Sequence, residues 1–171
     1  MLLTISTTQP PATQLAQLLG QHPDAIRAAT YPFGHAMVCF PQADDSRCSA
    51  ALMLQHPGRL PRATLLAEAV ADLFGAAQTA TDGPALALDV AIPVLSCLGG
   101  ADRLADTFGH RGYHVTTAAA EGGMPDEWSV RLTATVRLGG LLDDLCTLLP
   151  LLDGVEPPRA RRARYAACAH Q

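Results

Sequence analysis

Lysine is absent from this chain: all 12 basic residues among its 171 are arginine. A Walker A phosphate loop, a Schiff base and the lysine nucleophile that carries AMP in covalent nucleotidyl transfer each need that side chain, so all three are excluded. Long apolar runs are missing too. None approaches the roughly 18 residues that span a bilayer, and the opening MLLTISTT has neither the basic nor the apolar stretch of a signal peptide. The five cysteines, Cys39, Cys48, Cys97, Cys146 and Cys168, are odd in number and widely scattered. They read as reduced thiols, so the expectation is a cytoplasmic protein with no membrane contact. Charge is also sparse. With 16% charged residues and a net charge of -4, the chain as a whole has little pull on nucleic acid.

What is present is the material of a core: 49% of the residues are hydrophobic, enough for one domain or two small lobes. The stretch from residue 86 to 115 organises the rest. Leu86, Leu88, Val90 and Ile92 alternate with Ala87, Asp89 and Ala91, the period of a half-buried strand. Gly99-Gly100 frees a turn. Ala101, Leu104, Ala105 and Phe108 then recur at helical spacing until Gly109 and Gly112, and a second strand starts at Tyr113. Before this unit, strands are predicted over residues 1–7, 25–31, 35–40 and 47–55. A short helix is predicted on Ala12, Leu15, Leu18 and Leu19, and a longer one on Leu65, Leu66, Ala69, Val70, Leu73 and Phe74, stopped by Gly75. After it, residues 128–137 alternate cleanly, and Leu141, Leu142, Leu145, Leu148 and Leu149 make a last buried helix ended by Pro150.

The fold class is therefore α+β: two similar β-α-β-β(-β)-α lobes with mainly antiparallel sheets packed on helices, because several strands are joined by turns too short for a crossover. The first lobe is expected over 1–77, a linker over 78–84, the second lobe over 85–154, and an Arg-rich, solvated tail over 155–171. LAQLLGQHP at 15–23 echoes LADTFGHRG at 104–112, which favours two related halves.

No pattern places a nucleophile, a metal cage or a cofactor loop, so catalytic, cofactor and metal residues are expected to be none. His110 and His114 are four apart, but Gly112 lies between them and His114 falls on a strand, where four residues span about 13 Å; they read as surface histidines. Cys39 and Cys48 read as small buried residues, Asp143-Asp144 as a solvated helix face and Gly99-Gly100 as a plain turn. Two features carry a stronger functional alternative. Arg131, Thr133, Thr135 and Arg137 share the wet face of the strand over 128–137, and flat Arg/Thr faces suit docking of a partner protein. Arg159, Arg161, Arg162 and Arg164 crowd the tail, where contact with RNA or an acidic partner competes with plain solvation.

Read in order, the chain resembles the N-terminal domain of the bacterial 3′-terminal RNA ribose 2′-O-methyltransferase. The residues that carry the likeness are MLLTIST at 1–7, PATQLAQLLGQHPD at 11–24, FGHAMVCFPQA at 33–43 and CSAALML at 48–54. In the second half they are IPVLSCLGGADRLADTFGHRGYHV at 92–115 and VRLGGLLDDLCTLLPLLD at 136–153. The chain departs from the family pattern at residues 55–61, where a tight turn replaces a longer insertion, and in its tail. The resemblance implies a non-catalytic RNA-repair module that docks on, and activates, the ligase of a polynucleotide kinase-phosphatase-ligase, forming a hetero-oligomer that meets RNA only indirectly or through the tail. It implies no cofactor in this chain, since S-adenosylmethionine and metal belong to the methyltransferase domain that follows in the family. Two alternatives stay open: the N-terminal part of an RNA methyltransferase whose catalytic domain is missing or encoded separately, and an oligomerising structural paralogue.

Overall fold

Alternation of apolar and polar residues makes strands, and every strand that the alternation predicts is found. The structure, a computed structural model, describes residues 1–20, 27–31, 34–55, 62–79 and 83–154. In chain order the elements are β1 (Leu2–Thr7), α1 (Gln14–Leu18), β2 (Arg27–Tyr31), β3 (Gly34–Ala43), β4 (Cys48–Gln55) and α2 (Arg62–Thr79). There follow β5 (Ala85–Ser96), α3 (Gly100–Gly109), β6 (His114–Ala119), β7 (Glu127–Arg137) and α4 (Leu138–Leu152). The class is α+β, as the pattern requires.

The seven strands form one sheet in the order β2-β3-β4-β1-β5-β7-β6, with every neighbouring pair antiparallel. Where separate sheets were expected for the two halves, β1 and β5 instead pair directly, from Thr4 opposite Ala91 to Thr7 opposite Leu88. Both strands bury one face, Leu3 and Ile5 on β1 and Leu86, Leu88, Val90 and Ile92 on β5, and where they pair they carry Thr4, Ser6, Ala87, Asp89 and Ala91 on the other. Matching patterns let the two ladders merge without exposing an apolar edge. The Thr7 hydroxyl reinforces the seam by donating to the Ala87 carbonyl at 2.8 Å, and the Ala87 N–H donates to Gln9 Oε1 at 2.9 Å.

Helices α1 to α4 contribute Leu15, Leu66, Leu104 and Leu142 to a single hydrophobic core shared with the buried strand residues. The helices therefore lie on one side of the sheet, and among the described residues no helix covers its other side. At about 25 cal/mol per Å² of apolar surface, this shared core is the main favourable contribution to folding.

Three boundaries differ from the pattern. Helix α2 runs through Gly75 to Thr79, so Gln78 and Thr79 are helical and not part of the connection expected over 78–84. A single glycine costs a helix about 1 kcal/mol, and here α2 packs along α4, with Ala77 buried beyond the glycine and the Gln78 amide 3.5 Å from the Leu142 carbonyl. Helix α4 begins at Leu138 and keeps Pro150 inside, because in the last turn proline forfeits one backbone bond while Leu149 and Leu152 on either side remain fully buried. Tyr113 precedes β6. Its ring packs edge-on against Phe108 with centroids 6.2 Å apart, and its hydroxyl donates to Asp144 at 2.9 Å. The turn expected over 55–61, apart from Gln55 itself, and the tail over 155–171 lie outside the described residues.

Candidate partner-docking face

The uncovered side of the sheet is built by the alternate positions of each strand, small or polar along most of β5 and β7 and more apolar at Leu2, Met37 and Met53 on β1, β3 and β4. Along β7, Val130 and Leu132 point into the core while Arg131, Thr133, Thr135 and Arg137 point away from it. The sequence-predicted four are thus brought onto one face, as alternate positions of one strand must be. On β5 their opposite numbers are Ala91, Asp89, Ala87 and Ala85, and on β6 His114 and Thr116 face Thr133 and Arg131. Small neighbours keep this surface low. Arg131, Thr135 and Arg137 are exposed, and Thr133 is half-buried between Asp89 and His114.

Arg131 does not stand free. Its guanidinium reaches diagonally across to Asp89, with Nε donating to both carboxylate oxygens at 2.9 Å and Nη2 closing a second bond to Oδ2. The bonds and charge of Asp89 hold the Arg131 pKa above the usual arginine value. The fork-to-carboxylate fit fixes the planar group in one orientation. Asp89 is the residue that sequence reasoning missed. It was visible on the wet face of its strand, but only the register shows that it lies next to Arg131.

The other candidates do not assemble. His110 caps the end of α3 and His114 opens β6, with Gly112 at a φ of +87° in the turn between them. Cys39 lies opposite Ala51 on the uncovered side and Cys48 is buried on the core side, so the two thiols point to opposite faces. Burial raises the Cys48 and Cys97 thiol pKa values and keeps both neutral. Asp144 holds Tyr113 and pairs with Arg111 at 3.7 Å, whereas Asp143 faces Gln78. At Gly99, φ is +107°, and a Cβ there would meet the Arg103 side chain at 2.9 Å, so only glycine fits this turn. Among the described residues no group of three or more His, Cys, Asp or Glu side chains is placed to hold a metal ion. Arg159, Arg161, Arg162 and Arg164 lie outside the described residues. No helix among the described residues is long and apolar enough to cross a membrane.

The family described as the RNA repair, ligase-Pnkp-associating, region of Hen1 matches residues 1–69 and 61–156. The chain belongs to this family. Two solved structures share its fold. One, titled "Structure of the Pnkp1/Rnl/Hen1 RNA repair complex", matches with a TM-score of 0.60 at 13% identity, over 85% of this chain and 40% of that one. The other, "Structure of Pnkp1/Rnl/Hen1 complex", matches with a TM-score of 0.58 at 13% identity, over 89% of this chain and 41% of that one. The chain thus spans about two-fifths of the length of those it resembles. No curated protein matches. The resemblance read from the blocks at 1–54 and 92–153 and the family match agree on the N-terminal, ligase-associating region of Hen1.

Proposed function

We propose that this chain is a non-catalytic RNA-repair module that docks on the ligase of a polynucleotide kinase-phosphatase-ligase and promotes its adenylation, leaving the bond-making to that enzyme. The observation that carries the reading is membership, over residues 1–156, of a family described by its association with ligase and Pnkp. The absence of lysine from all 171 residues supports it, because the chain has no nucleophile with which to take up AMP itself.

Docking uses the uncovered sheet face around Arg131, Thr133, Thr135 and Arg137. Asp89 orients the Arg131 guanidinium before the partner arrives, which lowers the side-chain entropy lost on association, and the threonine hydroxyls offer donors and acceptors that a flat partner surface can meet. RNA is met by way of the ligase or through the arginines of the tail, in the cytoplasm, with no cofactor held by this chain. Mixing the purified chain with its cognate kinase-phosphatase-ligase tests the reading. The expected result is co-elution on size exclusion and faster formation of the ligase-AMP adduct from ATP; neither a complex nor a change in adenylation overturns it. Arg131→Glu sets two carboxylates side by side on the face and is expected to weaken the complex.

The chain's span of about two-fifths of the matched structures favours a second reading. In it, these residues are the N-terminal part of an RNA 3′-terminal ribose 2′-O-methyltransferase whose catalytic domain lies outside them. Sequencing the DNA downstream of Gln171 for a methyltransferase frame decides between the two.

A further inference from the structure

Only three large apolar side chains are exposed among the described residues, Leu98 at 62%, Met124 at 70% and Leu151 at 38%. They come from three separate segments that polar bonds draw to one end of the second half. Arg103 donates from Nη1 to the Leu98 carbonyl at 2.7 Å and from Nη2 to the Leu151 carbonyl at 2.5 Å, joining the turn before α3 to the end of α4. The Cys97 N–H donates to the Asp126 carbonyl at 3.0 Å and joins the same turn to the loop that carries Met124. Within that loop the Met124 N–H is held by Glu127 at 3.0 Å. The Trp128 ring edge lies 3.8 Å from where a Cβ on Gly100 would stand. Exposed apolar residues scattered singly are ordinary, whereas three on segments tied to one another by these bonds make an apolar patch that water covers poorly.

The charged groups near these three residues in sequence are mainly acidic. Within five positions in sequence of the three residues, the described charged groups are Asp102, Glu121, Asp126, Glu127 and Asp153 against Arg103 alone. Arg103 is committed to two backbone carbonyls. An RNA strand is repelled by such a rim. A protein that holds RNA carries arginine and lysine on its surface, and a segment of that kind with an apolar side chain at its centre matches both the patch and the rim.

We propose that the patch formed by Leu98, Met124 and Leu151 is a second contact with the ligase, taking a basic segment of that enzyme with an apolar anchor; this rests on the reading of the chain as a ligase-docking module. The patch lies where β5 ends and β7 begins, with Glu127 about 13 Å along β7 from Arg131, so one partner reaches both surfaces. An apolar contact at the centre of an interface, ringed by charged groups, is the arrangement in which few residues carry most of the binding energy.

The test measures the affinity of the cognate kinase-phosphatase-ligase for wild type, for Leu98→Ser/Met124→Ser and for Asp126→Lys. Both replaced apolar side chains are exposed, so the double variant is expected to melt with wild type and to bind at least about tenfold more weakly. Asp126→Lys is expected to bind more weakly, and wild-type binding to weaken as NaCl is raised. If wild type binds and the double variant binds equally well, the patch is not a contact and the docking reading stands. If wild type does not bind, both fall. Tighter binding by Asp126→Lys, or a self-association that the double variant abolishes, overturns the basic segment of the ligase as the occupant.

Discussion

Asp153→Ala is expected to loosen the joint between α2 and α4, the two longest helices. One carboxylate oxygen of Asp153 accepts the Thr64 N–H at 2.7 Å and the Thr64 hydroxyl at 2.9 Å. Thr64 is 8% exposed, and its N–H belongs to the first turn of α2, where no helical carbonyl is available to it. Removing the carboxylate therefore strands two donors at a buried position. Hydrogen bonds to a charged acceptor contribute about 1.5–3 kcal/mol each. Asp153 is only half-buried and the two bonds share an oxygen, so the lower end applies, about 2–3 kcal/mol in all. At about 2–4 °C per kcal/mol for a chain of this size, the melting temperature should drop by about 5–10 °C. Asp153→Asn keeps an acceptor and Thr64→Val keeps the N–H bond, and each is expected to cost about 1 kcal/mol. Urea unfolding of wild type, both single variants Thr64→Val and Asp153→Ala, and their double variant forms a cycle with an expected coupling of about 1 kcal/mol. An Asp153→Ala protein that unfolds at the wild-type midpoint, or strict additivity in the cycle, refutes the reasoning.

Tyr113→Phe removes the bond to Asp144 and is expected to cost about 1 kcal/mol near neutral pH. Burial first, and then Asp144, raise the Tyr113 pKa in the folded state. Its stabilising contribution is therefore whole below the unfolded value of about 10 and is lost as pH rises above that value. Urea midpoints measured across this range should fall more steeply for wild type than for the variant. In the turn between β3 and β4, hydrogen bonds from Ser46, Gln42 and Arg47 lower the Asp44 pKa from 3.8 to about 2. An NMR titration of the Asp44 carboxyl should find that midpoint, and Ser46→Ala should raise it. The turn's contribution to stability is then present above pH 3.8 and is lost as pH falls towards 2.

Local patterns were legible wherever one rule acted alone. The alternation from Trp128 to Arg137 fixed both a strand and the face its arginines occupy, because side chains on a strand have no other choice. Helix ends were harder to read. Gly75 and Pro150 are stop signals by propensity, yet both are overridden by packing between α2 and α4 that no local window contains. The β1–β5 seam was out of reach for the same reason: Ser6 and Asp89 are each plain polar positions until the ladders are aligned. The docking face was legible as a set of residues on one strand. The ion pair that organises it was not, since Arg131 meets Asp89 only diagonally across two strands. The apolar end patch needed the folded chain altogether, because Leu98, Met124 and Leu151 have nothing in common in sequence.

The place of β1 in the sheet has a consequence for how the protein is made. Both of its edges are filled by strands that leave the ribosome after it, first β4 and later β5, with Thr7 and Ala87 in contact although 80 residues apart. β1 thus waits, half-paired, until about 80 further residues have been made, and its completion zips both halves in one slow, long-range event. Severing the chain between α2 and β5 would yield two sticky fragments with bare flanks, not two smaller proteins.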